Sequence, residues 1–476
     1  MLKFFRSTLC FSFFISNLLL IYFFITPCIP LVFDTKRVAL ISLILLGLFN
    51  LSSSSFAQQA LRHFTANISS IPRNTLFLIL FISVLSGNNS ASFTNYAFIE
   101  VITLFSLLLV SVLCFPAFQF FKKYTHYLII VMLISIFIME VQFISYYVAF
   151  LLTDFPFSIH NFFFSFANPR FFNQYQIWTM PVVSFILLSQ HMLFQAKKTR
   201  YVLWSIAILW WLIFFTSQGR GVIVAVMAST FIVAFIFRAK ATLFLKQTII
   251  LFILGFFTYK LLFDLVPYVI SRGTKFLDIP INLTSSGRLT KLWPDAINFM
   301  LNNPWLGIGP MHYVSLHGGQ YFSHPHNSLL QIGAEWGVPA LILVLLLMYH
   351  SFSAWTKKFN HHTLSATASD NNLIILGLTF SLLSGGIYSL FSGVIVMPMS
   401  QLTGTLVISL AMAVYFPEYI PQLKTPPRNW LMTLFFGFLG VYYFWLLSPE
   451  LIPHFIDPMY FSHHFLQPNS GPRFWQ

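Results

Sequence analysis

Runs of about 20 predominantly apolar residues recur along this chain, and that recurrence constrains the fold more than any other feature. A run of this kind satisfies its own backbone hydrogen bonds only as an α-helix, so it crosses a membrane in that form. Runs fall near 8–29, 38–54, 74–88, 96–118, 127–151, 171–194, 201–217, 221–237 and 247–270, and, after a long polar break, near 338–356, 372–394, 399–416 and 429–447. The expected fold class is an all-α integral membrane bundle of about 12–13 helices. Gly385-Gly386 and Pro398 are the places where this placement is open to miscounting. Only 8% of the residues are charged, against 57% hydrophobic and 19% aromatic, with 59 Phe. A soluble domain needs about a quarter charged residues, so lipid solvates most of this surface.

The net charge of +14 comes from 26 Lys and Arg against 12 Asp and Glu. A nucleic-acid binder gathers such charge into patches on a soluble face. Here the basic residues sit mainly in short gaps between apolar runs, which excludes nucleic acid and sets topology instead. The gaps with Lys122-Lys123, with Lys197, Lys198 and Arg200, with Arg238, Lys240 and Lys246, and with Lys357-Lys358 alternate along the chain and read as cytoplasmic. The segments 88–95, 152–170, 218–220 and 271–337 then lie on the outer face, and Lys36-Arg37 runs mildly against the bias. Cys10, Cys28 and Cys114 form no CxxC pair and lie in or beside apolar runs, which supports neither a disulfide framework nor a metal site. Met1–Arg6 followed by an apolar stretch has the charge order of a signal peptide, but no cleavage pattern follows, so a retained first helix is expected.

These readings divide the chain into N-terminal membrane helices (1–270), an outer loop bearing short helices (271–337), C-terminal membrane helices (338–447) and an irregular interfacial tail (448–476) with Pro453, Pro458, Pro468 and Pro472. In the outer loop, Arg288, Lys291 and Asp295 are spaced for one helix face, capped by Ser285 or Ser286. Asn303-Pro304 ends that helix. Glycines 307, 309, 318 and 319 supply turns, and His324-Pro325-His326-Asn327 opens a short helix ending near Gly337.

The runs NNPWLGIGP and HPHNSLLQIGAEWGVP, with SSGR upstream, resemble the O-antigen ligase and polymerase-like family of bacterial inner-membrane glycosyltransferases. NPRFFNQYQIWTMP (168–181) and SQGRG (217–221) fit the same pattern, so the resemblance covers roughly 168–345 by motif. It implies transfer of a glycan from undecaprenyl diphosphate to an acceptor hydroxyl at the periplasmic face, without metal or other cofactor. The acceptor it implies is a lipid A core sugar, a growing polysaccharide or a protein hydroxyl. Partners are then the lipid-linked donor, the acceptor and the surrounding lipid, and the location is the inner membrane with the active site facing the periplasm.

Without a metal, cationic side chains must stabilise the leaving diphosphate, and arginine offers bidentate contacts and stays protonated. Arg170, Arg220 and Arg288 lie at outer helix ends, where topology alone does not place positive charge. Competing readings are a snorkelling anchor for Arg220, a pair with Asp154 for Arg170 and a pair with Asp295 for Arg288. The attacking hydroxyl needs a general base, and His326, directly before Asn327, is the candidate. His324, across a proline with its ring expected to point elsewhere, is assigned to acceptor or diphosphate contact. Asn327 and Glu335 complete the expected substrate site; for Glu335 a helix-end or ion-pair role competes. His312 and His317 read as surface, no carboxylate or cysteine completes a metal set, and Trp178, Trp293, Trp305 and Trp336 read as an interfacial belt. Glu100, Glu140 and Asp264, inside apolar runs, are expected to meet Lys260, another polar group or a water-filled cavity. A flippase or permease for lipid-linked sugars is the rival class; it favours short loops and midplane charges, which the long outer loop argues against.

Overall fold

A computed structural model of the chain describes residues 33–89, 94–120, 122–153, 158–166, 168–189, 192–270, 287–313, 324–364, 369–415 and 429–456, with Ile15, Asn17 and Leu18 from the first apolar run. The helices are α1 (Phe33–Ser53), α2 (Ser55–Asn67), α3 (Ser70–Asn89), α4 (Thr94–Phe120), α5 (Lys122–Leu152), α6 (Pro169–Leu188), α7 (Lys197–Thr216), α8 (Arg220–Phe237) and α9 (Thr242–Lys260). There follow α10 (Trp293–Asn302), α11 (Ser328–Trp336), α12 (Val338–Lys358), α13 (Asp370–Tyr388), α14 (Pro398–Tyr415) and α15 (Trp430–Ile456). A π turn over Leu261–Leu265 and the helical stretch Val266–Ile270 extend α9.

Ten stretches among the described residues are long and apolar enough to cross a membrane. One of them, Arg220–Ile270, is folded as two helices, because Arg238 (φ 47°) and the 3-10 turn Arg238–Ala241 break α8 from α9. The polar first half of α6 keeps it out of that group, although it is buried along nearly its whole length. The chain is therefore a polytopic α-helical membrane protein, and each apolar run from 38–54 onward is matched by one helix. The run 8–29 falls almost entirely outside the described residues, as do Ser285, Ser286, His317, Gly318, Gly319 and Asp154.

Helix α6 is the axis of the bundle, packed against α13, α7, α14 and α9. Trp178 does not sit at an interface: its indole donates to Ser400 Oγ at 3.0 Å and lies where Gly385 of α13 and Gly404 of α14 leave no room for a Cβ. Gly385-Gly386 therefore does not interrupt α13; it admits a tryptophan between two helices. Trp336 is likewise buried, against Ile79 and Ala340, whereas Trp305 is exposed. Helix α15 runs past residue 447 through Pro449 and Pro453 to Ile456, a tolerance that membrane helices show where neighbours satisfy the freed carbonyls.

Lys36 and Arg37, which run against the charge bias, are buried among acceptors. Arg37 donates to Gln401 Oε1 and to Val396 O, both at 2.7 Å, while Lys36 bonds Ser165 O and lies over the Phe166 ring. Lys260 pairs with Asp264 one turn away at 2.8 Å. Glu140 is buried without a hydrogen-bond partner among the described residues.

Candidate functional site

Four helix starts meet at the loop end of the bundle, and each carries one of the residues expected there. Asn168 caps α6, its Oδ1 accepting the Arg170 N–H at 2.8 Å, with Pro169 preset for the first turn. Arg220 is the first residue of α8. Arg288 opens the π turn Arg288–Leu292 that runs into α10. Asn327 caps α11, its Oδ1 accepting from Leu329 N at 3.0 Å and Leu330 N at 3.1 Å.

The SQGRG step acquires a physical reason here. A Cβ on Gly219 would overlap the Asn173 carboxamide, and one on Gly221 would lie 2.8 Å from Phe391 Cβ and 3.2 Å from Tyr388 Cε2. The two glycines let the start of α8 lie directly on α6 and on the 389–397 turn that joins α13 to α14. Arg220 is carried between them.

The three arginines share one electrostatic environment. Burial is the main cause that pushes the Arg288 pKa down, and the charges of Arg170 and Arg220 push the same way, against Tyr388. Among the described residues the one ion pair is Lys260–Asp264, so none of the three arginines is paired with a described carboxylate. Cations at helix N-termini also oppose the positive end of each helix dipole. An arrangement unfavourable on both counts is a ready-made anion site.

His324 and His326 enter the cluster from the start of α11. His326 has φ 55°, a left-handed conformation that is costly for a side chain with a Cβ. The chain turns back there, so the rings do not diverge: their centroids lie 4.3 Å apart at 67°. His324 is buried, and its ring occupies the space that a Cβ on Gly393 would need. Burial pushes the His326 pKa down to about 3, helped by the charges of Arg288 and Arg170. The imidazole is therefore neutral and next to two guanidiniums. Ser328 N donates to Ser389 O at 2.8 Å, docking α11 on the 389–397 turn.

Glu335 is buried at the far end of α11. Its Oε1 accepts the Tyr313 N–H at 3.2 Å, its Oε2 accepts from Gln331 Nε2 at 3.4 Å, and its carbonyl accepts from Ser86 Oγ and Gly309 N, both at 2.9 Å. Tyr313 donates to Leu292 O at 2.9 Å, and burial, with Asp295 and Glu335, pushes its phenol pKa up. Glu335 thus ties α11 to the segment 308–313 and, through Tyr313, to the base of α10. Gly307 (φ 66°) is where the chain passes against the Glu335 backbone too closely for a Cβ. His312 is not a surface residue: it is buried, Nδ1 at 2.8 Å from Pro310 O.

The site also holds residues that motif reading passed over: Asn173 and Gln174 of α6, Tyr388 at the end of α13, and Ser392 and Gly393 of the following turn. Asn173, Gln174 and Gln176 did carry a signal, three amides in the interior of a buried helix. Nothing in the sequence around Tyr388–Gly393 distinguishes it from an ordinary connection. Among the described residues no three His, Cys, Asp or Glu side chains are grouped to hold a metal ion.

No curated protein matches the chain in sequence. The family model described as O-Antigen ligase matches residues 204–345. That segment holds Arg220, Arg288, His324, His326, Asn327 and Glu335, and leaves Arg170 outside it. Residues 204–345 of this multispanning helical membrane protein are thus similar to the O-antigen ligase family.

Proposed function

We propose that the protein transfers a glycan from undecaprenyl diphosphate to an acceptor hydroxyl at the periplasmic face of a bacterial inner membrane. The observation that carries this reading is the convergence of Arg170, Arg220 and Arg288 at helix N-termini, none of them paired with a described carboxylate. A diphosphate leaving group at a lipid interface is the kind of anion such a site stabilises.

In the reaction the acceptor oxygen attacks the anomeric carbon, and the bond from that carbon to the phosphate oxygen breaks. The electron pair leaves with the diphosphate, whose growing charge the guanidiniums meet through paired N–H donors. The hydroxyl proton passes to His326, kept neutral by burial and the adjacent cations. Attack from the face opposite the leaving group inverts the anomeric centre. His324 packs against His326 and is assigned to contact with the acceptor or diphosphate. A lipid A core sugar is the acceptor we favour; a growing polysaccharide or a protein hydroxyl would use the same residues.

The test is a deletion strain complemented with the wild-type chain or with His326→Ala. Loss of transfer with normal membrane insertion, and build-up of the lipid-linked donor, is the expected result. Wild-type glycan display by His326→Ala would overturn the general-base assignment. Loss of capped core, of long chains or of glycosylated protein in the deletion strain identifies the acceptor.

A further inference from the structure

Arg288 and Arg170 come from distant parts of the chain, and they repel each other. What holds Arg288 in place is a carbonyl: its Nη1 donates to Phe391 O at 2.8 Å. Phe391 lies in the 389–397 turn, an irregular connection whose shape no helix dictates. The position of Arg288 is therefore only as well defined as that turn.

The turn is fastened to α6 by side chains. Gln174 Nε2 donates to Ser392 Oγ at 2.7 Å, and both residues are buried. Phe391 N donates to Tyr388 O at 2.9 Å, which joins the turn to the end of α13. The result is a side-chain tie, Gln174–Ser392, from α6 to the turn that follows α13. Helix α6 also carries Arg170, one turn before Gln174. The Gln174 Oε1 atom is buried without a hydrogen-bond partner among the described residues, a cost the fold accepts in placing the amide there.

We propose that this tie is a positioning device that fixes the separation of Arg170 and Arg288 so that both guanidiniums can engage one diphosphate. The proposal rests on the diphosphate reading above. A buried hydrogen bond is held in a low-dielectric interior, and removing one partner leaves the other unsatisfied. Without the tie, charge repulsion moves Arg288 and its carbonyl seat away from Arg170, and bidentate contact is lost before fold or base is affected.

The experiment uses the full-length protein in detergent, with inorganic pyrophosphate as the probe of the anion site. Gln174→Met removes the hydrogen-bonding amide at nearly constant volume. Pyrophosphate dissociation constants, measured calorimetrically, and donor KM are expected to rise together by roughly tenfold, the size of one or two net hydrogen bonds. The kcat at saturating donor is expected to fall as well, because the same guanidinium contacts meet the charge that grows on the leaving diphosphate. Ser392→Thr, which keeps the hydroxyl, should bind pyrophosphate more tightly than Ser392→Ala. Ser184→Ala breaks a different tie from α6, the 3.1 Å contact with Thr248, and should leave pyrophosphate binding unchanged. Unchanged pyrophosphate binding in Gln174→Met, or an equal loss in Ser184→Ala, would overturn the proposal. Undiminished transfer by His326→Ala would instead count against the transfer mechanism, and because pyrophosphate binding needs no turnover, the two failures are told apart.

Discussion

Arg288 donates through Nη1 to the backbone carbonyl of Phe391 at 2.8 Å, which leaves the rest of its planar fork for a ligand. A lysine at this position has one compact ammonium and cannot hold the carbonyl and two phosphate oxygens in the same geometry. Arg288→Lys is therefore expected to lower transfer by about 10- to 100-fold, the usual size of a lost charge-assisted contact. The comparison is made at equal protein levels in membranes. Full activity in the lysine variant would reduce Arg288 to a source of charge alone.

His326 gives a pH dependence with a definite sign. Its pKa in the fold lies near 3, below the ordinary value of 6.5, so the unfolded chain takes up a proton at a pH where the folded chain does not. The stability that follows is complete above about pH 6.5 and is lost as the pH falls from there toward 3. Catalytically, the base stays neutral in the free enzyme across the physiological range. A bound diphosphate cancels part of the field of Arg288 and Arg170 and raises the imidazole pKa. The acid limb of kcat should accordingly lie at higher pH than that of kcat/KM, because the first reports the complex and the second the free enzyme. Coincident limbs would separate His326 from the anion site.

The sequence places Glu335 in the expected substrate site, but its carboxylate oxygens accept from Tyr313 N–H and Gln331 Nε2. A bracing role predicts that Glu335→Gln lowers thermal stability, by about 1–3 kcal/mol for a disturbed buried acceptor. Activity per folded molecule should be largely kept. A variant as stable as wild type but inactive would put the carboxylate back at the substrate.

Hydropathy carried the membrane class and motifs supplied candidate site residues, but neither shows what only three-dimensional packing brings together. Hydropathy places the helices because each run must satisfy its own backbone in lipid. It passes over α2 (Ser55–Asn67), whose QQ and RH pairs break the apolar pattern although Phe56, Ala57, Gln58 and Ala60 are buried. Motifs picked out Arg288 and His326, but their meeting with Arg170 and Arg220 depends on two glycines of the α7–α8 step lying flat on α6 and on the 389–397 turn. Lys36 and Arg37 looked like topology exceptions because a charge count cannot see that carbonyls of residues 165 and 396 receive them. Tyr388 and Ser392 were invisible for the opposite reason: an isolated tyrosine or serine near a helix end is common, and only its partners make it part of a site.

Gly393 tests the contact between that turn and the histidines. The His324 ring lies directly over it, where any Cβ would overlap the imidazole. Gly393 is not needed here for an unusual backbone conformation but for close approach, so the smallest side chain suffices to disturb it. In Gly393→Ala the His324 ring must move, and it moves against His326, whose centroid is 4.3 Å away in a strained left-handed turn. Because α11 is also docked through Ser328 N on Ser389 O, the displacement passes to the base rather than to solvent. The expected outcome is a loss of transfer of tenfold or more, about 1.4 kcal/mol in the barrier, with unchanged membrane insertion. Donor binding should survive, since the alanine lies on the histidine side of the turn and the Phe391 carbonyl that seats Arg288 is untouched. Measuring pyrophosphate binding beside kcat decides it: weakened pyrophosphate binding would mean that Gly393 serves the arginines instead.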